Sequence, residues 1–173
     1  MAPRRTLGFL LSLALLAGSL AGCDDEDVEM LDSTALDERF ACGDLTVVAA
    51  DSDGSQALLL GIDDGLAAEV MAEGVVVVAK YQLPDERLML RWVQGNNVYQ
   101  GQCGHDGGAP WRVEERHDAI GGEIAVRLEP TADGHISVLA SLDGVLFIDD
   151  YDDEPAYELA PTDIEAMVLP PPG

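Results

Sequence analysis

Residues 121–140, Gly121-Gly122-Glu123-Ile124-Ala125-Val126-Arg127-Leu128-Glu129-Pro130-Thr131-Ala132-Asp133-Gly134-His135-Ile136-Ser137-Val138-Leu139-Ala140, decide the fold class. Ile124, Val126 and Leu128 fall at every second position, and so do Ile136, Val138 and Ala140. A period of two places each set on one face of an extended strand, whereas a helix needs spacings of three and four. Asp133-Gly134 between them is a tight-turn dipeptide, so the stretch reads as a β-hairpin.

The same pattern extends in both directions. Downstream, Asp143-Gly144 precedes the apolar run Val145-Leu146-Phe147-Ile148, which stops at the acids Asp149, Asp150, Asp152, Asp153 and Glu154. Residues 157–168 are expected to add one edge element. Upstream, Gly121-Gly122 separates a strand over 111–118 from the hairpin, and Gly104 to Pro110 forms a Gly-rich loop. Leu88, Leu90 and Trp92 alternate along another strand, which Gly95-Asn96-Asn97 reverses into residues 98–103. Val75 to Tyr81 is β-branched through its centre and reads as a buried strand. Residues 45–50 and 56–60 flank Asp51-Ser52-Asp53-Gly54 as a first hairpin. Gly65 to Glu73 is the only good helix candidate, barely two turns long. Together these predict an all-β fold: a single antiparallel β-sandwich of about eight strands with one short helix, spanning residues 41–168. Residues 169–173 are a Pro-rich tail.

Charge limits the partners. Thirty-three acidic against nine basic residues give a formal net charge of −24. Nucleic-acid binding needs clustered Lys and Arg that displace counterions, so nucleic acid is excluded as a partner. An acidic surface steers basic molecules instead, with strong salt dependence.

The N-terminus carries an address. Arg4 and Arg5 precede an apolar stretch from Leu7 to Leu20, the layout of a secretory signal. The stretch is too short for a spanning helix, which needs about 20 apolar residues. It ends in Leu20-Ala21-Gly22-Cys23, which resembles the lipobox of bacterial lipoproteins. That resemblance implies cleavage after residue 22, a lipid-modified Cys23, and a protein anchored to a bacterial membrane in the cell envelope, facing the periplasm or the cell surface. Two acyl chains suffice for stable anchoring. Loss of residues 1–22 leaves 151 residues, enough for one domain with a sizeable core, and takes the net charge to −26. The acids between Asp24 and Glu38 repel one another, so residues 23–40 are expected to be the lipidated cysteine and a disordered tether.

With Cys23 assigned to the anchor, Cys42 and Cys103 remain as an even pair in an oxidising compartment, where a disulfide is the leading expectation. Two thiols without clustered histidines make a thin metal site. The order Cys42-Gly43-Asp44, Tyr81-Gln82-Leu83-Pro84-Asp85, Cys103 and Asp143-Gly144-Val145-Leu146-Phe147 resembles uncharacterised lipoproteins of Gram-negative bacteria. The resemblance implies the β-sandwich and the disulfide, and brings no activity or cofactor with it.

Few residues carry chemistry. Asp51 and Asp53, at alternate positions of a loop, and Asp149, Asp150 and Asp152 are candidate calcium ligands, because calcium takes six to eight oxygens. A hairpin turn and a solvated charge run account for the same residues. His105-Asp106 and His117-Asp118 put imidazoles beside acids, but neighbours in a strand point to opposite faces, and surface histidines are the simpler reading. Trp92, Trp111, Tyr81 and Tyr99 offer an aromatic platform only if Trp92 is not spent on the core, as its alternation with Leu88 and Leu90 suggests. The leading function is a non-enzymatic binding or structural module of the envelope. Its partners are then the membrane, through the anchor, and a basic envelope protein or a glycan. A hydrolase using acids of the 149–154 cluster, or a calcium-stabilised adhesion module, are the alternatives.

Overall fold

The computed structural model describes residues 28–99, 102, 103, 110–148 and 155–168. Ten strands and one α-helix follow in order: β1 (Glu29–Leu31), β2 (Glu38–Cys42), β3 (Thr46–Ala50), β4 (Gln56–Ile62), α1 (Leu66–Glu73), β5 (Val77–Leu83), β6 (Leu88–Asn96), β7 (Arg112–Pro130), β8 (Ile136–Ile148), β9 (Pro155–Leu159) and β10 (Thr162–Val168), with a short 3₁₀ turn at Ser33–Ala35. The all-β class holds, and the predicted helix lies where expected.

The sandwich does not hold. Strands β8, β10, β2, β3, β4, β6 and β7 pair in that order, and β7 pairs with β8 again, so seven strands close into a barrel. Strands β5 and β1 are the two open ends of the sheet. The reason lies at two glycine sites that the sequence presents as turns. Gly121-Gly122 and Asp143-Gly144 lie inside the long strands β7 and β8, at irregularities in their mutual ladder. Gly122 has φ +117° and Gly144 φ +57°. Each site inserts a bulge that bends its strand and shifts the side-chain alternation by one. In β8 the buried positions are even from Ile136 to Leu142 and odd at Val145 and Phe147. In β7 they are odd at His117 and even from Ile124 to Leu128. The bend and the phase shift together keep the apolar side inward while a strand turns a corner, so one sheet curls on itself.

Each half of β7 then serves a different neighbour. Residues 112–118 pair with β6, and residues 122–128 pair with β5 along the same edge. Strand β8 divides in the same way between β10 and β9. The barrel is filled by Val47, Leu58, Leu60, Leu90, Trp92, Ile124, Val126, Leu128, Val138 and Phe147, among others, and Leu66, Ala67 and Val70 of α1 pack onto it.

Strands β3 and β4 are near-continuous apolar runs because both of their faces are covered. Outward-pointing Val48, Ala50, Ala57 and Leu59, with Val93, form a second cluster under Val98, Tyr99 and Cys103. The Cys42–Cys103 disulfide, with Cα atoms 5.5 Å apart, ties that cover to β2. Phe40 meets Tyr99 edge to face at 6.2 Å.

Three further expectations change. Residues 28–40, expected in the tether, carry β1, the 3₁₀ turn and the start of β2, and they bury Leu31 and Leu36. The acidic residues there alternate with apolar anchors, and charge density alone hides such anchors. Residues 157–168 belong to two strands, and β10 lies inside the barrel wall between β8 and β2. The Val75–Tyr81 run is no buried strand: β5 is an edge, with Val75, Val76 and Val78 exposed.

Candidate functional site

The candidate residues separate rather than converge. Asp51 and Asp53 sit in the β3–β4 turn and spend their oxygens on it. Asp51 accepts from Ser55 Oγ at 2.5 Å and Gln56 N–H at 3.0 Å, while Asp53 accepts from Ser55 N–H at 3.1 Å. Burial pushes the Asp51 carboxyl up, but the hydrogen bonds from Gln56 and Ser55 outweigh it and hold the group below its ordinary range. Among the described residues no three His, Cys, Asp or Glu side chains converge as a metal site. Cys23, His105, Asp149, Asp150 and Asp152 lie outside the described residues.

The His117-Asp118 pair splits across the barrel wall. His117 is buried, opposite Trp92 in the β6–β7 ladder and 4.5 Å from the Tyr157 ring, so it is not a surface histidine. Asp118 faces outward between Arg91, at 2.6 Å, and Arg116, at 3.3 Å. Strand alternation predicts the split; the burial of an imidazole does not follow from sequence. Trp92 is core and Trp111 is exposed, so the tryptophans form no common platform.

A groove of about 500 Å³ runs over the ends of β3, β4 and β6. Its floor is the cross-strand row Thr46, Gly61 and Met89, dipped because Gly61 has no side chain; a Cβ there would stand 3.3 Å from Met89 Cε. Asp44, Asp63 and Glu86 line it together with Arg87. Arg87 is already engaged. Asp85 grips its guanidinium twice, at 3.0 and 2.6 Å, and its charge lies 5.2 Å from the centre of the Tyr81 ring. The Arg87 hydrogen bonds in turn hold the Asp85 carboxyl down to about 2.

Behind Arg87, the Tyr81 hydroxyl donates to Asp64, whose other oxygen accepts from the Leu66 N–H at the start of α1. Burial first, and the Asp64 carboxylate second, push the Tyr81 phenol well above its usual range. Asp64, Tyr81, Arg87 and Asp85 therefore clasp α1, β5 and β6 together, with Tyr81 kept as a neutral donor. The groove beside them presents negative charge to solvent, which suits a cationic group. The acids of the groove leave no local trace in the sequence, because Asp44, Asp63 and Glu86 come from three separate turns. The one local signal is Gly61 inside an otherwise apolar strand. Comparison with protein families, with curated proteins and with solved structures finds no match to this chain.

Proposed function

We propose that this chain is a lipid-anchored module of the bacterial cell envelope, a β-barrel that binds or spaces a partner and performs no chemistry of its own. Leu20-Ala21-Gly22-Cys23, at the end of an apolar run that follows Arg4-Arg5, carries the reading. The Cys42–Cys103 disulfide supports it, since such bonds persist outside the reducing cytosol. Strand β1 begins at Glu29, so only residues 24–28 separate the anchor from the fold. Fully extended, that link reaches about 20 Å, and the barrel stays near the headgroups. With 33 acids against nine basic residues, and Asp44, Asp63 and Glu86 along its groove, the domain favours a basic partner, such as a cationic envelope protein.

The anchor is tested by expressing the full chain and a Cys23→Ser variant with radiolabelled palmitate. The wild type should take up label and pellet with membranes, while the variant should do neither as a mature protein. Unlabelled wild-type protein, or a variant that still carries label, would overturn the reading.

A further inference from the structure

The connection between β6 and β7 leaves the barrel and returns to it at one place, because Asn96 and Arg112 pair across the ladder. Within it, Val98, Tyr99 and Cys103 fold back over the outward side chains of Val48, Ala50, Ala57, Leu59 and Val93. None of the three belongs to a strand, so no ladder of the barrel depends on them. The cluster they complete shares no side chain with the barrel core. The cover can therefore leave without taking any strand with it.

Two fastenings hold the cover down. Near its start, the Val98 N–H donates to the Gly54 carbonyl at 3.0 Å, and the Tyr99 ring lies on Gly54, where a Cβ would stand 2.8 Å from Tyr99 Cε1. At its far end, the fastening is the bond from Cys103 to Cys42. That end is strained. Apart from glycines, the described residues with positive φ are Asn97, at +50°, and Cys103, at +63°. Asparagine enters the left-handed region readily through local hydrogen bonds of its short amide, whereas cysteine has no such compensation. A residue stays there only where its surroundings over-determine it, and the bond to Cys42 does so for Cys103. Both cysteines are also partly exposed. Strained or exposed disulfides are the ones that thiols open, while relaxed and buried ones resist.

We propose that Cys42–Cys103 is a thiol-operated latch, whose reduction frees the cover from the outer face of β3, β4 and β6 while the barrel stays closed. A thiolate attacks one sulfur of the bond and forms a mixed disulfide, which a second thiolate then displaces. Two electrons and two protons pass to the protein. Cys42 and Cys103 become thiols, and the two attacking thiols leave joined as a disulfide. The co-reactant is thus a pair of thiols, in an oxidising compartment those of a dithiol protein. Once the bond is open, Cys103 relaxes from its left-handed conformation, and the cover is held only through Val98 and Tyr99. Its release is a local opening that uncovers the apolar side chains of Val48, Leu59 and Val93. This inference does not rest on the lipid anchor.

Reduced glutathione provides the test, because structural disulfides resist it. The full-length chain in mild detergent, with any free thiol first blocked by N-ethylmaleimide, is incubated with reduced glutathione without denaturant and then alkylated with iodoacetamide. Cys42 and Cys103 should both carry the alkyl group. Hydrogen exchange at the Val98 amide should quicken several-fold, while the β3 and β4 amides stay protected and far-ultraviolet circular dichroism is unchanged. Oxidised glutathione should restore both the bond and the slow exchange. The double variant Cys42→Ser, Cys103→Ser should show the fast exchange without reductant and should not respond to glutathione. A bond that opens only in denaturant would overturn the proposal. So would a reduced chain whose Val98 amide exchanges as slowly as before, one in which β3 and β4 lose protection along with the cover, a change that oxidised glutathione does not reverse, or a serine variant that still responds.

Discussion

The Cα of Val145 occupies the place where a side chain on Gly122 would project: a Cβ built on Gly122 would stand 2.7 Å from it, and 2.8 Å from the Gly144 carbonyl oxygen. The bends of β7 and β8 are thus pressed against each other, backbone to backbone. The corner of the barrel is a contact that only glycine permits, and the φ of +117° at Gly122 adds a second demand for the same residue.

Gly122→Ala is therefore expected to cost more than about 2 kcal/mol, from the unfavourable backbone region and the displaced strand together. Gly144→Ala is the informative contrast. Gly144 has φ +57°, but a Cβ there meets nothing within 4 Å. Its cost should be roughly 1–2 kcal/mol, that of the left-handed conformation alone. Urea unfolding of the two variants measures the difference, and equal losses would mean that the close approach at the corner is unimportant.

These glycines also mark the limit of what the sequence discloses. Period-two alternation finds the segments around Ile124, Ile136 and Leu88 correctly, because local burial sets it. A Gly-Gly or Asp-Gly pair is locally the same whether it reverses a chain or bulges it; only the partner strand decides. Read as turns, Gly121-Gly122 and Asp143-Gly144 gave two layers of short strands, whereas as bulges they give long strands and a barrel. The phase shift from Leu142 to Val145 is visible in the sequence and was the available clue. Of the candidate site residues, Cys42 and Cys103 were legible through their even count. The groove between Asp44, Asp63 and Glu86 was not, because nothing local brings three turns together.

The disulfide closes a span of 61 residues and fastens Val98, Tyr99 and Cys103 over Val48, Leu59 and Val93. Chain entropy gives an upper figure of about 4 kcal/mol for a loop of that length. Replacing Cys42 and Cys103 by alanine should lower stability by about 2–4 kcal/mol. It should also loosen the cover before the barrel opens, so that the outer cluster binds a hydrophobic dye at temperatures where far-ultraviolet circular dichroism is still native. Simultaneous loss of both signals would mean that the cover and the barrel unfold as one unit.

Acid should act through Asp85. Its carboxyl lies at about 2 in the folded protein against an ordinary 3.8, because Arg87 holds the charged form. A depressed carboxyl contributes stability that is fully present above its unfolded value and is lost as the pH falls through the folded one. The contribution should therefore fade between about pH 4 and pH 2. Asp85→Asn removes the charged partner of Arg87, so the variant should start less stable at neutral pH and show a flatter decline in that window. Denaturation midpoints measured from pH 5 downward give both slopes; parallel slopes would exclude the pair as a source of acid sensitivity.

Trp92 and Trp111 report on the two environments separately. Trp92 is 1% exposed and points into the barrel opposite His117, whereas Trp111 is 53% exposed just before β7. Iodide should quench only the Trp111 emission. Trp111→Phe should leave a blue-shifted, unquenched spectrum and near-unchanged stability, because the side chain is more than half exposed and phenylalanine keeps an aromatic ring there. Trp92→Ala should cost about 3–5 kcal/mol through the cavity it opens in the barrel. A ligand that docks around Trp111 would protect its fluorescence from iodide, so the same titration also serves as a screen for cationic peptides and glycans. Quenching of the Trp111→Phe variant in the folded state would contradict the burial of Trp92 and with it the closed barrel.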